Sequence, residues 1–312
     1  MKQARPDIFH PRIVLAGCAA LPEGDGDDSG LVAALRGRGL HARWLPWDDP
    51  ATLDADLVIL RATWDYIDRL DEFLDWTRRV AHLLNPPQVV AWNVDKRYLS
   101  DLAAAGVPTV PSAFYPPGER ALIPSGEIVV KPSVGAGSVG ALRFCDARQA
   151  QAHVAALHAA GRTALVQPYD GRVSAGETAL VFLAGEQSHA FTKGPMLPAP
   201  GQVPVFDESG TYAEESLRPA EPDFELWDLG HAALAAAAGS LGLRTAELLY
   251  ARVDIIGDSQ DPRLIELELV EPSLGWRQLG VDDRRRGERR FALGVESALE
   301  RFGLGPFAHR RP

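Results

Sequence analysis

Residues Glu127–Phe144 have the sequence EIVVKPSVGAGSVGALRF, which carries the clearest structural signal in the chain. Both ends are apolar and contain β-branched residues, so they predict two strands joined by a glycine-rich hairpin. The loop matches the pattern G-x-G-x-x-G, but the dinucleotide-binding form of that pattern needs a helix directly after it, and a strand is predicted here. Such a hairpin can fold over phosphates, because glycine lets backbone N–H groups approach phosphate oxygens closely. The alternative is an ordinary flexible hairpin.

A lysine stands near the end of the first of these strands. The 32 basic residues of the chain include only four lysines, which are Lys2, Lys96, Lys131 and Lys193. Lysine retained in an arginine-rich chain suits places where a compact, flexible point charge is required, although genome composition is a simpler explanation. Lys131 ends a predicted buried strand, where a charge needs a partner. A nucleotide phosphate would serve as that partner.

Residues 12–93, which precede the hairpin, alternate between predicted strands and helices. This alternation predicts an α/β lobe with an open, mainly parallel sheet. The predicted strands are 12–17, 41–47, 56–60 and 89–92. Ligands of such sheets bind beyond the carboxyl ends of the strands, where the segment Arg61–Tyr66 lies. We therefore expect part of a binding site directly after the third strand.

Two further units are expected beyond residue 93. Residues 94–168 contain a linker and a small lobe built on the hairpin, and residues 169–309 form a C-terminal lobe. The segment 195–222 is rich in proline, glycine and acidic residues. We predict a long loop there, which is a candidate lid.

Two short polar patterns near the C-terminus combine charges on one strand face. Arg252-Val-Asp254 and Glu266-Leu-Glu268 each place two polar side chains on the same face, because strand faces alternate with period 2. If the two strands form a hairpin, Asp254 lies opposite Glu266, and Arg252 lies opposite Glu268. Three clustered carboxylates need neutralisation, and oxygen ligands beside a phosphate suit Mg²⁺. The alternative is a solvated acidic face in which the arginine pairs with a glutamate.

Taken in chain order, these motifs resemble those of the ATP-grasp ligase superfamily. The resemblance rests on Lys96, Val130-Lys131-Pro132, the glycine-rich hairpin, Gln167-Pro-Tyr169, Gly176-Glu177, Lys193, Arg252-Val-Asp254 and Glu266-Leu-Glu268. It covers about residues 12–300, and it is specific as a set, although each motif is weak alone. It implies an ATP-grasp fold, with an N-terminal open α/β lobe, a central lid lobe and a C-terminal lobe. ATP would bind between the last two lobes.

The resemblance also implies a role for each matching residue. Arg252 and Lys193 would be catalytic, with Arg252 steadying an acyl-phosphate and Lys193 reaching the terminal phosphate. Asp254, Glu266 and Glu268 would bind two Mg²⁺ ions. Many relatives carry asparagine where Glu268 stands, so this position adds a negative charge.

The nucleotide-binding set implied by the resemblance is larger. The segment Gln167–Tyr169 would be the hinge that reads adenine, and Glu177 would bind the ribose hydroxyls. The residues expected to contact ATP are Lys96, Lys131, Ser133, Gly135, Gly137, Ser138, Gly140, Gln167, Pro168, Tyr169, Glu177 and Lys193.

A closer similarity concerns the substrate. The segments Arg61–Tyr66, Ser188–Ala190 and Glu271–Ser273 are similar to those of a subgroup of ATP-grasp cyclo-ligases that make D-cycloserine. This similarity implies O-ureido-D-serine as the substrate, and D-cycloserine, ADP, phosphate, CO₂ and ammonia as products. The implied substrate residues are Arg61, Thr63, Trp64, Asp65, Tyr66, His189 and Ser273.

A structural interpretation of the same residues stays open. Trp64 and Tyr66 would then pack in the core, and Arg61 would pair with Asp65. His189 could act as a base, but a lone histidine on a strand is more often structural.

Other functions also remain open at this level. One is an ATP-grasp ligase that joins a carboxylate to the amine of a second small molecule, as in glutathione synthetase or dipeptide ligases. Another is a nucleotide-binding module without catalysis. A third is a Rossmann oxidoreductase, which the strand predicted after Gly140 disfavours.

Composition excludes several other classes. The net charge of −10 argues against nucleic-acid binding, which needs a basic face. No apolar run reaches about 20 residues, so no membrane span is expected, and the start of the chain lacks the apolar core of a secretory signal. Cys18 and Cys145 are expected to be free thiols, and the cytoplasm is the expected compartment. The expected partner is a small amino-acid-like molecule. Relatives in this superfamily are often dimers or tetramers, so a homo-oligomer stays open.

Overall fold

The computed structural model describes residues 10–195, 197–202 and 216–305. Within them the chain forms three sheets, in residues 12–84, 113–168 and 177–268. These lie inside the three units expected from the sequence, whose boundaries remain predictions. The described residues contain no helix that is both long and apolar enough to cross a membrane.

The N-terminal sheet is parallel, as predicted. Its strands are β1 (Arg12–Gly17), β2 (His41–Pro46), β3 (Leu57–Ala62) and β4 (Leu83–Leu84), in the order β2-β1-β3-β4. Its helices are α1 (Leu31–Gly37) and α2 (Leu70–Arg79). Every residue of β3 is buried, as expected for a strand covered on both faces.

The strand predicted at 89–92 is wrong. That segment belongs to helix α3 (Pro87–Asn93), and the edge strand β4 precedes it. Pro87 occupies the first helical turn, where its missing N–H group costs nothing, while Val89 and Val90 are buried. A short apolar run does not distinguish a buried strand from a buried helix. Helix α4 (Tyr98–Ala104) follows.

The central sheet is antiparallel and contains the predicted glycine-rich hairpin. Its strands are β5 (Ala113–Tyr115), β6 (Ile128–Pro132), β7 (Leu142–Phe144) and β8 (Ala164–Pro168), in the order β5-β8-β6-β7. β6 pairs with β7 so that Ile128 faces Phe144, which confirms the hairpin. Helix α5 (Ala147–Ala159) packs on this sheet, and the lobe has its own apolar core.

The C-terminal sheet is also antiparallel. Its strands are β9 (Glu177–Leu183), β10 (Glu186–Lys193), β11 (Leu217–Ala220), β12 (Tyr250–Ile256) and β13 (Arg263–Glu268), in the order β11-β10-β9-β12-β13. Its helices are α6 (Phe224–Ser240) and α7 (Val281–Arg301). The loop predicted at 195–222 is wrong in part, because β11 pairs there with β10. Residues 196 and 203–215 of this candidate lid lie outside the described residues.

The N-terminal and C-terminal lobes share one apolar core. Ile13 and Leu15 of β1 belong to the same buried cluster as Phe191 of β10 and Phe291 of α7. The buried amide of Asn85 adds polar contacts, since it donates to the carbonyls of Tyr250 and Leu269 and accepts from the N–H of Leu249. The carboxyl edge of the parallel sheet is therefore held against strands β12 and β13, where the predicted acidic residues lie.

Candidate active site

A cavity of about 340 Å³ lies where the three lobes meet. The N-terminal lobe contributes Trp64 and Tyr66, and the central lobe contributes Lys131 and the loop that follows it. The C-terminal lobe contributes Arg252 and the carboxylates of β13. A cavity with polar groups from several elements is the usual form of a small-molecule site.

The strand pairing that was predicted for the acidic residues is confirmed. β12 pairs with β13 so that Asp254 faces Glu266 and Arg252 faces Glu268. One carboxylate oxygen from each of Asp254, Glu266 and Glu268 lies within 4.8 Å of the others. Three hard oxygen ligands this close together fit Mg²⁺, which prefers carboxylates and phosphate oxygens.

Basic side chains balance these carboxylates. The Nζ atom of Lys193 lies 2.6 Å from Asp254 and 3.1 Å from Glu177. Lys96 pairs with Glu266 at 3.0 Å. Arg252 donates from Nε to Asp254 over 2.9 Å. The cluster is therefore a network in which acidic and basic side chains alternate. The basic groups could contact an anionic ligand, and the carboxylates could bind the cation that accompanies it.

Arg252 extends this network to Glu268, to which its guanidinium also donates. The pKa values of the two glutamates move in opposite directions. Burial and the charges of Glu266 and Asp254 raise the pKa of Glu268 to about 8, although Arg252 opposes the shift. Burial would also raise the pKa of Glu266, but nearby lysines outweigh it and lower that pKa well below its usual range. A bound divalent cation would favour the ionised form of both.

Lys131 differs from the other cavity lysines. Among the described residues it forms no ion pair within 4.0 Å, and burial lowers its pKa. Lys131 is half-buried, and a cation that is partly removed from water without a counter-charge is costly. Its place in the cavity lining therefore favours an anionic ligand.

The glycine-rich loop lies beside Lys131. Gly137 and Gly140 adopt positive φ angles of 57° and 76°, and Ser138 is left-handed at 63°, a conformation that non-glycine residues rarely adopt. Lys96 donates from Nζ to the carbonyl of Gly135 over 2.8 Å, so it connects the loop with the carboxylate network. Gly135, Gly137 and Ser138 line the cavity. Ser133 and Gly140 do not line it, so their predicted contacts with ATP remain predictions.

The predicted hinge also borders the cavity. Gln167, Pro168 and Tyr169 all line it. The amide of Gln167 donates to Ser112 Oγ over 2.8 Å, and the Tyr169 ring lies 3.7 Å from the guanidinium carbon of Arg143. These contacts leave the backbone of the segment at the edge of the cavity.

The predicted substrate residues divide into two groups. Trp64, Tyr66 and Ser273 line the cavity. The indole of Trp64 donates to the carbonyl of Glu271, and the Tyr66 hydroxyl forms a hydrogen bond with the Glu271 side chain. These three residues are placed where a substrate could contact them.

The other four predicted substrate residues do not line the cavity. Arg61 is 2% exposed and pairs with Asp28 at 2.7 Å, not with Asp65. Asp65 accepts a hydrogen bond from the indole of Trp47. The predicted pairing of Arg61 with Asp65 is therefore wrong, and each residue has a different structural partner. Their contact with substrate stays a prediction that this arrangement does not favour.

Thr63 is also fully buried. The ring of His189 contacts the carbonyl of Leu274 at 2.6 Å and packs near the Trp276 ring, and burial lowers its pKa. Both positions fit a structural role better than a contact with substrate.

Sequence reasoning missed several cavity residues. Asp25, Asp27, Glu271 and Arg277 all line the cavity. Burial raises the pKa of Glu271 to about 7. The Gly/Asp-rich loop after β1 was recognisable as a loop at the carboxyl edge of a parallel sheet, which was a signal for ligand binding. Glu271 begins the segment Glu271–Ser273 that the closer similarity singled out, but only Ser273 was expected to contact substrate. Nothing local indicated Arg277.

Comparison with known proteins agrees with this geometry. Residues 13–85 match the family model described as the N-terminal domain of D-cycloserine synthetase DcsG. The cycloserine biosynthesis protein DcsG of Streptomyces lavendulae is 38% identical over 296 residues, which cover 88% of this chain and 95% of that protein. The crystal structure of D-cycloserine synthetase DcsG superposes with a TM-score of 0.81 and 33% identity, over 92% of this chain and 99% of that one.

A more distant structure shows the same fold. D-alanine–D-alanine ligase from Bacillus anthracis complexed with ATP has a TM-score of 0.61 at 12% identity, over 94% of this chain and 98% of that one. At this identity the likeness concerns the fold alone. The chain shares 38% identity with the Streptomyces lavendulae protein over most of both lengths. The chain therefore belongs to the DcsG family of ATP-grasp ligases.

Proposed function

We propose that this enzyme is an ATP-dependent cyclo-ligase that converts O-ureido-D-serine into D-cycloserine. One observation carries the proposal. A three-carboxylate cluster, two of whose members line the cavity, adjoins a glycine-rich loop and a lysine that forms no ion pair among the described residues. Family membership supports the choice of substrate. ADP, phosphate, CO₂ and ammonia are the proposed co-products.

ATP would lie between the central and C-terminal lobes. The backbone of Gln167–Tyr169 would bind the adenine, and Glu177 would bind the ribose hydroxyls. Lys131 and Lys96 would contact phosphate oxygens, which gives Lys131 the counter-charge that it lacks. The N–H groups of the loop from Gly135 to Ser138 would cover the outer phosphates.

Asp254, Glu266 and Glu268 would hold two Mg²⁺ ions. When bound, Mg²⁺ neutralises charge on the phosphates and orients them for transfer. The fit rests on the donor set, since all three side chains offer hard oxygen ligands within a few ångström of one another.

The first chemical step would be attack of the substrate carboxylate on the terminal phosphorus of ATP. This forms an acyl-phosphate and releases ADP. Lys193 and Arg252 would face the place where negative charge develops, and both are 4% exposed, so water screens them little. They would steady the transferring phosphoryl group and then the tetrahedral intermediate.

The second step would close the ring within the same molecule. The ureido nitrogen bonded to oxygen attacks the acyl carbon, the bond to phosphate breaks, and a five-membered ring forms. Loss of the carbamoyl group to water gives CO₂ and ammonia, so one water is consumed overall. Attack within one molecule has an effective molarity of about 10⁵ M or more when the groups are well oriented.

The cavity must exclude water before ring closure, because water would hydrolyse the acyl-phosphate. The glycine-rich loop is one candidate cover. The segment 195–222 is the other, although most of its tip lies outside the described residues.

The test is mass spectrometry of purified protein incubated with Mg·ATP and O-ureido-D-serine. We expect D-cycloserine and ADP to form at equal rates, with none formed when ATP is omitted. ADP without D-cycloserine would refute the cyclo-ligase reaction while retaining phosphoryl transfer. A second amine that restores a ligation product would then identify a two-substrate ligase.

A further inference from the structure

The loop after β1 contains three aspartates that have different partners. Asp28 is buried and forms a bidentate ion pair with Arg61, which donates from Nε over 2.7 Å and from Nη2 over 3.2 Å. Asp25 and Asp27 instead line the cavity. One acid of this loop is therefore neutralised within the protein, and two acids face the place where a substrate would lie.

Asp27 is 4% exposed. Its Oδ1 accepts the backbone N–H of Arg277 over 2.9 Å, and its Oδ2 accepts the hydroxyl of Ser273 over 3.4 Å. Among the described residues it forms no ion pair within 4.0 Å. Burying a carboxylate without a counter-charge is costly, so a cationic ligand group would stabilise this arrangement.

The basic groups around Asp27 have other partners. Arg61 pairs with Asp28, and Arg284 pairs with Glu288 at 2.8 Å. The guanidinium of Arg277 is exposed and donates to the backbone carbonyl of Asp25. Arg277 is thus a cation beside Asp25 that offsets part of its charge. No basic group of the described residues forms an ion pair with Asp27, so its charge is left for a ligand.

The loop is held firmly in place. Trp276 donates from its indole to Asp28 over 3.0 Å, and Arg61 also donates to the carbonyl of Pro272 over 2.8 Å. Gly26 has a φ of +82°, and a Cβ atom there would lie 2.4 Å from a guanidinium nitrogen of Arg277. A carboxylate on a fixed loop binds a ligand with little loss of conformational entropy.

Asp27 is also linked directly to the catalytic cluster. Ser273 donates its hydroxyl to Asp27, and its carbonyl accepts from Arg252 over 3.0 Å. A single residue therefore separates the acidic loop from the arginine that would steady the acyl-phosphate. In an α-amino acid, the ammonium and the carboxylate are bonded to the same carbon, so a substrate whose carboxylate lies near Arg252 would hold its ammonium close by.

We propose that Asp27, with Asp25 beside it, binds the α-ammonium group of the substrate and thereby selects α-amino acids. Arg61 is a positioning residue that holds the loop through Asp28. The inference rests on the proposed function, because it assigns one group of the proposed substrate to a part of the same cavity.

The test compares Asp27→Asn with wild type on two ligands. The first is O-ureido-D-serine, and the second is 3-(ureidooxy)propanoate, which lacks only the amino group and is measured as a competitive inhibitor. We expect Asp27→Asn to lower kcat/KM for O-ureido-D-serine by about 10- to 100-fold. The inhibition constant of the second ligand should change less than about threefold, and the KM for ATP should not change.

Glu23→Gln is the matched control, since Glu23 is an exposed acid of the same loop and its replacement removes the same charge. It should behave as wild type. If Asp27→Asn does not fold, Asp25→Asn is tested on the same two ligands, with a smaller selective loss expected. Equal losses on both ligands, or no loss on O-ureido-D-serine, would overturn this inference alone. Absence of wild-type turnover would overturn the proposed function, and this inference with it.

Discussion

Replacement of Arg61 by methionine should destabilise the fold and should not act chiefly on substrate binding. The guanidinium is 2% exposed, forms two hydrogen bonds to Asp28 and one to the carbonyl of Pro272. Removing one member of a buried ion pair leaves the other charge without compensation, which costs about 3–5 kcal/mol. With an unfolding entropy of about 2.1 cal/mol/K per residue, that cost lowers Tm by about 5–8 °C in a chain of this size.

The assay is urea unfolding of Arg61→Met, Asp28→Asn and the double variant. Each single variant should lose stability, and the double variant should lose less than the sum, because it buries no unpaired charge. The expected coupling is about 2 kcal/mol or more, at the upper end for residues in contact. Arg61→Lys should fall between wild type and Arg61→Met, since it keeps the charge but loses the paired geometry.

Two results would refute this reasoning. The first is a stability loss below about 1 kcal/mol for Arg61→Met, with a large rise in KM for the substrate. That outcome would return Arg61 to the direct substrate role implied by family resemblance. The second is full additivity in the double variant, which would show that Arg61 and Asp28 do not stabilise each other.

Three further predictions concern the cavity. Glu268→Gln should lower kcat by about 100-fold or more and raise the Mg²⁺ concentration needed for half-maximal activity, because one of three clustered carboxylates is lost. Full activity at low Mg²⁺ would contradict this prediction. The control is Glu225→Gln, which replaces an exposed acid. Lys131→Met should raise the KM for ATP by about 10-fold or more while the urea midpoint stays the same or rises, because the change removes a half-buried charge that forms no ion pair among the described residues. A loss of ATP affinity together with a lower urea midpoint would indicate a structural role. Burial raises the pKa of Glu271 to about 7 in the folded protein, from 4.5 in the unfolded chain. The protonated carboxyl therefore contributes its full stability below pH 4.5, and this contribution is lost as the pH rises through about 7. Urea unfolding at several pH values should therefore show that the free energy of unfolding falls less steeply between pH 4.5 and 7 in Glu271→Gln than in wild type. The same pH dependence in both proteins would contradict this prediction.

Much of the site was predictable because its parts are local. The glycine-rich hairpin follows from two β-branched runs around a glycine loop, and the structure pairs them as expected. The placement of Asp254 opposite Glu266 follows from the period-2 alternation of strand faces. Family resemblance then ordered these local motifs into one fold.

Other elements could not be predicted because tertiary packing overrides a weak local preference. The apolar run at 89–92 is as compatible with a buried helix as with a strand, and Asn93 in that helix is fixed by bonds to Leu267 and Leu269. Strand β11 contains Pro219 and is followed by Pro222, so its local sequence does not favour a strand. It forms through pairing with β10. The partner of Arg61 was also predicted wrongly in the structural alternative, since the acid that it contacts lies 33 residues away rather than four.

The sequence by itself determined the glycine-rich hairpin, the paired acidic strands and the superfamily. These depend on backbone preferences and on side-chain alternation between neighbours in the chain. Only the tertiary structure decided which acids of the β1 loop face the cavity, because Asp27 contacts Ser273 and Arg277, which lie 246 and 250 residues away. One of those contacts is to a backbone N–H, which every residue except proline offers, so no pattern of side chains could have revealed it.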